Sequence, residues 1–375
     1  YSALIATPLL SAQADIERDG RPSGQHHQRS NVPHCDFWRS VSQREHVLET
    51  FSPYLTFGVT VIVMLAVVDL WVGVTNDAAN FLNSAIGARV ATRRTILIIA
   101  SIGVIFGALV SSGMMEVARK GVFNPDLFLS SSGALRIEAV LAVYLGVMVA
   151  DVILLDLFNS FGLPTSTTVS IVSELVGASI AVNLWANRTD LLSAFEVINT
   201  GPVIGIYSGI FLSIVVAFTL GALVMMLLRG VFTRDLARTF PKYGWIWSGA
   251  AFTILAYFVI YKGLKSAAFL QDNSFVHNPL WWVVGLAAAL ISIPLARSRP
   301  NLVLKGMILA GTGALAVAFA GNDLVNFIGP SVAAAQAVFV ENIQLSGKVP
   351  TPHWALLIAG VVMAASLWVS KKART

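Results

Sequence analysis

From Pro53 onward the chain is a succession of apolar runs separated by short polar or basic stretches. Few folds can accept this pattern. A hydrocarbon core about 30 Å thick takes roughly 20 apolar residues per helix, and only helices or closed barrels satisfy their backbone polar groups inside it. The runs cover approximately 53–74, 77–90, 95–113, 135–159, 163–186, 199–228, 244–262, 279–296, 302–320, 321–343 and 352–370, which predicts ten or eleven membrane segments. The expected fold class is all-α, a polytopic membrane protein. With 56% hydrophobic residues, 12% charged residues and a mean hydropathy of +0.73, the composition excludes an ordinary soluble domain.

The net charge of +5 raises the question of nucleic acid. Its distribution answers it. The basic residues stand between apolar runs: Arg89, Arg93 and Arg94; Arg229, Arg234, Arg238 and Lys242; Arg297, Arg299 and Lys305; Lys371, Lys372 and Arg374. Such clusters mark cytoplasmic loops, so a lipid bilayer and no nucleic acid is the expected partner. The lone cysteine, Cys35, excludes an intramolecular disulfide.

Residues 1–50 differ in composition, being polar and mixed in charge, and hold His26, His27, His34 and His46. They are expected to form a disordered tail and lack the pattern of a signal peptide. The spacing of the histidines is too loose to indicate a metal site. The chain starts with Tyr1, which hints at a missing start. Beyond the tail, residues 51–240 are expected to be a first transmembrane repeat, and 241–375 linking helices with an incomplete second repeat.

The repeat is carried by a short polar motif. Asn76-Asp77-x-x-Asn80-Phe81 recurs as Asn322-Asp323-x-x-Asn326-Phe327, an offset of 246 residues from Asp77 to Asp323. Each copy follows an apolar run with almost no connector, so a broken or re-entrant helix is expected at both motifs. Basic residues follow the first copy and not the second, which suggests inverted repeats of opposite orientation. An aspartate at mid-membrane costs about 2.5–3.5 kcal/mol on insertion scales, and a function is the usual compensation. At helical spacing the Asn and Asp oxygens collect on one face and suit a hard cation. The plainer alternative is an Asn/Asp cluster that only ties helices together. Two copies at matching places argue against it.

A second element is Gly162-Leu163-Pro164-Thr165-Ser166-Thr167-Thr168. Gly and Pro stop one helix, and the hydroxyls occupy capping positions of the next. A helix start of this kind inside a membrane offers unpaired N–H groups, a positive dipole end and hydroxyl donors to an anion. Together the two motif types describe an oxyanion held beside a cation. Asp77 and Asp323 would repel phosphate or sulfate unless a cation lies between them or one is protonated. Neither motif contains Lys or Arg, so the neutralising charge is expected to arrive with the substrate.

Other acids fall in or beside apolar runs: Asp69, Glu116, Glu138, Asp151, Asp156, Glu174 and Glu196. Asp156 and Asn159 could line the route to the site. Glu174 could bind a proton or cation, or pair with a basic helix end. Trp245, Trp247, Trp281 and Trp282 read as interfacial anchors. No HExxH signature and no Ser–His pair within the apolar runs points to an enzyme.

The two ND-x-x-N motifs with the intervening Gly162–Thr168 run resemble the inorganic phosphate transporter family of cation–phosphate symporters, over about residues 55–345. The resemblance implies inverted repeats whose Asp, Asn and Ser-Thr-Thr side chains surround phosphate and its coupling sodium or proton, with no other cofactor. Carried over, Asp77, Asn80, Ser166, Thr167, Thr168, Asp323 and Asn326 would bind phosphate. Asn76, Asp77, Asn80, Asn322, Asp323 and Asn326 would hold the cation, expected to be sodium. Dimers are usual in the family, so a homodimer in the plasma membrane, or the inner membrane of a bacterium, is the expectation. Two positions depart from the family pattern: Asn83 stands where Gly is usual and Gly329 keeps it in the second copy, while Val169 stands where His often follows the hydroxyls. The 246-residue offset would put a second hydroxyl segment near position 412, past Thr375, so the chain is expected to be a fragment. A sulfate or other oxyanion symporter and a passive anion channel are the alternatives to phosphate import.

Overall fold

A computed structural model describes residues 53–111, 122–128, 136–187, 190–232, 235–263, 280–339 and 353–370. The expected tail, Glu116, Arg234 and the basic cluster 371–374 lie outside them, as do the side chains of Trp281 and Trp282. Among the described residues there are nine long helices: α1 (Pro53–Gly87), α2 (Arg93–Leu109), α3 (Ile137–Phe161), α4 (Thr167–Asn187), α5 (Thr200–Phe232), α6 (Leu236–Gly263), α7 (Leu280–Ser298), α8 (Pro300–Phe339) and α9 (His353–Val369). No strand forms among these residues. One isolated antiparallel bridge joins Phe123 to Ile198 between α2 and α5. Five helices, α1, α3, α4, α5 and α8, are long and apolar enough to cross a membrane by length and composition.

The expected break at each ND motif is corrected. The 35-residue α1 and the 40-residue α8 run unbroken through both. Runs 53–74 and 77–90 are one helix, and so are 302–320 and 321–343. The physical reason is that Asn and Asp satisfy their side chains without unwinding the backbone. Asn80 Nδ2 donates to Asp77 Oδ1 at 3.2 Å, and Asn326 Nδ2 to Asp323 Oδ1 at 3.2 Å, both across three residues of intact helix. The backbone break falls instead between α3 and α4. At about 1.5 Å per residue, helices of this length exceed the hydrocarbon thickness and must tilt or project beyond it.

The core is built around α8, which packs on α1, α2, α3 and α6. Small residues set how closely the helices approach. A Cβ at Gly107 of α2 would lie 2.4 Å from the Val317 carbonyl oxygen of α8, and one at Gly103 would lie 2.7 Å from the Gly313 oxygen. Such backbone proximity is the helix contact that membrane interiors favour. The motif phenylalanines pack reciprocally. Phe81 of α1 stacks on Phe319 of α8 at 5.2 Å, while Phe327 of α8 fills the space beside Gly73 of α1. By contrast, α5 has no buried residue and carries apolar side chains all round.

Replacing Gly107 by Ala forces α2 away from a backbone atom that cannot swing aside. The expected destabilisation is about 1–3 kcal/mol, read as a lower melting temperature in detergent. Gly209→Ala on α5, where the added atom meets nothing within 4 Å, should not lower it.

Candidate functional site

The site begins with the way α3 ends. Gly162 adopts φ 70°, a left-handed conformation that an L side chain rarely takes. Its N–H donates to the Asn159 carbonyl at 3.1 Å, and the Leu163 N–H donates to the Phe158 carbonyl at 2.9 Å. This pair of bonds is the Schellman arrangement and closes the helix. Ser166 then caps α4: its carbonyl accepts from the Ser170 N–H at 3.0 Å and its hydroxyl from the Val169 N–H at 3.4 Å. The N–H groups of Thr167 and Thr168 have no intrahelical carbonyl to bond.

Two clamps position this turn, one from each motif helix. From α1, Asn76 Nδ2 donates to the Leu163 carbonyl at 3.0 Å and to Asn159 Oδ1 at 3.2 Å, while Asn76 Oδ1 accepts from the Thr165 N–H at 3.2 Å. Asn159 in turn donates to the Val72 carbonyl at 2.9 Å. From α8, Asp323 Oδ1 accepts from the Thr167 hydroxyl at 3.2 Å. Asn326 Nδ2 lies 3.3 Å from Thr167 Oγ1 and 3.2 Å from Thr168 Oγ1.

Asp77 is buried on α1 and senses the negative charge of Asp323 across the helix crossing. In this way Asp77, Asp323, Asn326, Thr167 and Thr168 are brought to one place, where two carboxylates, an amide and two hydroxyls meet the positive end of α4. Asn80 joins through Asp77. Asn76 faces the turn, with its amide committed to backbone, and Ser166 is spent on the cap. Asn322 is exposed. Pro330 sits four residues after Asn326 inside α8 and supplies no N–H to the Asn326 carbonyl. A cleft of about 410 Å³ runs beside the turn and is lined by Asn76, Asn80, Asn83, Asn159, Gly162 and Pro164 among others.

Comparison with known proteins fits this geometry. The model of the Phosphate transporter family matches residues 73–372. The chain belongs to that family. Members are transporters, not enzymes, and this member is an integral membrane protein that serves phosphate transport. A Thermococcus kodakarensis protein assigned as a phosphate permease is 28% identical over 324 residues, covering 80% of this chain and 75% of its own. The phosphate-repressible phosphate permease of Neurospora crassa is 32% identical over 136 residues, 36% of this chain and 22% of its own. A solved structure described as the sodium-dependent phosphate transporter superposes with a TM-score of 0.67 at 19% identity, covering 84% of this chain and 76% of that one. This last likeness shows the fold.

In this phosphate transporter family member the remaining acids divide. Glu138, Asp156 and Glu196 are exposed, and Asp156 lines a second cleft of about 450 Å³ with Trp71, Thr75 and Asn159. Glu174 meets Ser170 at 2.6 Å and not a basic helix end. Sequence reasoning missed Asn76 as a backbone clamp, because its partners lie 83 to 89 residues away. It also missed Ser170, although the spacing of four to Glu174 places both on one face of α4.

Asn76→Ala removes both halves of the clamp and leaves the Thr165 N–H without its acceptor. Amide exchange at Thr165 should accelerate by roughly 5- to 30-fold, the equivalent of 1–2 kcal/mol, while exchange in α2 stays unchanged.

Proposed function

We propose that this protein imports inorganic phosphate as a secondary transporter coupled to sodium or protons. The observation that carries this reading is that one hydroxyl-bearing helix start is held by both ND motifs at once, by Asn76 from the first and by Asp323 and Asn326 from the second. Phosphate would dock at the start of α4. It would take the Thr167 and Thr168 hydroxyls and first-turn N–H groups as donors, with the helix dipole opposing its charge. Ser166 would support this arrangement by fixing the first turn.

Asp77 and Asp323 make the site electrostatically incomplete without a cation. No Lys or Arg stands in either motif, so the ion must come with the substrate. Its oxygen ligands would be the two carboxylates, the amide oxygens of Asn80 and Asn326, whose nitrogens are already turned to their aspartates, and the Asn326 carbonyl freed by Pro330. Asn76 would act through the turn, and Asn322 from the rim. Both ions are cargo, and the reading requires no resident cofactor. Dihydrogen phosphate can also donate a hydrogen bond to a carboxylate, which sulfate cannot do. That favours phosphate over the sulfate alternative.

Internal symmetry supports the same reading. The contacts Phe81–Phe319 and Phe327–Gly73 exchange with one another under the 246-residue offset that relates the two motifs. A two-fold relation between inverted repeats produces such a pair. The uniformly apolar α5 suits bilayer hydrocarbon or a second copy in a homodimer. The proposed location is the plasma membrane, or the inner membrane in a bacterium.

Uptake of labelled phosphate into vesicles, with sodium omitted in parallel, tests the proposal. Arsenate should compete well and sulfate poorly; efficient displacement by sulfate would overturn the assignment of substrate. Asp77→Asn should abolish gradient-driven uptake while the protein still inserts and remains monodisperse. Thr167→Val, which removes one donor to a charged group, should weaken phosphate binding by roughly 10- to 100-fold.

A further inference from the structure

A second set of acids lies deeper along the same helices and takes no part in the site described above. Asp69 of α1 and Asp151 of α3 are both fully buried, and Glu174 of α4 is half-buried. Asp69 is set against Asp151, with Glu174 acting on both. Neither carboxylate oxygen of Asp69 has a hydrogen-bond partner, and Asp151 Oδ2 and Glu174 Oε2 are likewise unpartnered. Buried polar atoms normally find partners, so four orphaned oxygens within one cluster of acids call for a partner that the neighbouring side chains do not supply.

Ser170 identifies what that is. Its Oγ lies 2.8 Å from Asp151 Oδ1 and 2.6 Å from Glu174 Oε1. A hydroxyl carries one hydrogen and can donate to only one of them. The other contact becomes a hydrogen bond when that carboxyl is itself protonated and donates to the serine oxygen. Among the described residues no three acidic, His or Cys side chains are arranged to hold a metal ion. Among the described residues, the charge within reach of Asp151 from outside the cluster is another acid, Asp77 of α1, which Asp323 of α8 also reaches. From α5, Tyr207 bonds Ser173 on α4 at 2.6 Å, hydroxyl to hydroxyl. Repulsion among the acids is therefore relieved by a proton more readily than by any side chain nearby.

We propose that Asp151 and Glu174, joined through Ser170, together with Asp69 beside Asp151, form a proton-binding site separate from the phosphate site, loaded in this conformation and emptied during transport. The inference rests on the transport reading above and names where one coupling ion travels. Its link to phosphate is α4. Thr167, Ser170 and Glu174 follow one another at spacings of three and four on one face of that helix, so a shift of its first turn reaches Ser170 directly. Asp69 stands eight residues before Asp77, about 12 Å along α1. The two sites are close enough to feel one another's charge and far enough apart to load independently.

The test uses the full chain reconstituted in vesicles containing a pH-sensitive dye. In the parent protein, phosphate uptake driven by an inward proton gradient should acidify the lumen. In Asp69→Asn and Glu174→Gln, gradient-driven accumulation and its acidification should fall to the level of protein-free vesicles, while phosphate–phosphate counterflow without a gradient persists. Unchanged acidification per phosphate in both variants overturns the proposal. A second measurement is independent of transport: the infrared carbonyl stretch of a protonated buried carboxylic acid should be present in the parent and weakened in Glu174→Gln and Ser170→Ala. Absence of that band from the parent overturns the proton site whatever the uptake shows. Failure of uptake with the band present overturns the transport reading alone. Stabilisation of the parent by sodium that is lost in Glu174→Gln would make the cluster a sodium site and also overturn the proposal.

Discussion

The crossing of α1 and α8 is the contact on which the rest depends. Phe327 reaches into the space beside Gly73, where a single added methyl would lie 2.2 Å from its ring. That crossing brings Asp77 and Asp323 within electrostatic reach and sets the gap into which α4 must start. The small residues of α2 hold α8 from the other side, with Gly103 and Gly107 against its backbone. Two long helices pinned in this way can carry two neighbouring carboxylates without drifting apart. The stabilisation comes from close packing of apolar atoms, and the charges are carried at a cost.

Much of this was legible in the sequence because the relevant signals are local. The left-handed Gly162, the cap at Ser166 and the hydroxyls that follow are all written within seven residues. The fixed offset between the motifs was legible too, and it paired residues that meet through α4. The backbone path at the motifs was not legible. Polar residues within an apolar run suggest unwound backbone, yet each Asn bonds its own Asp three residues away on an intact turn. Pro330 does not break α8 either. A proline inside a helix removes one N–H and leaves one carbonyl free without ending the helix.

What the sequence could not show is which distant residues the acids meet. Asp151 and Glu174 stand in different helices, and only the seating of α3 on α4 puts Ser170 between them. Asn76 illustrates the same limit. Its type and motif suggested a cation ligand, whereas its amide is turned to the backbone of residues 163 and 165. A motif names the chemistry that is available, and packing decides which member of it is free to act.

The helix α4 shows how these pieces act as one device. Its first turn touches the second motif through Thr167, and its cap segment is held by the first motif through Asn76. One turn further on, Ser170 connects it to Asp151 of α3. An anion docking at the α4 start would compete for the Thr167 hydroxyl that now donates to Asp323, leaving that carboxylate short of a donor. A cation at Asp323 would restore the balance, so on the proposed function anion and cation would each be more stable with the other present. Reciprocity of this kind is a coupling free energy between two ligands, and here it would arise from one hydroxyl shared by two claimants. Because the same helix face continues to Ser170 and Glu174, a displacement that settled the competition at Thr167 would also move the partner of the buried acids.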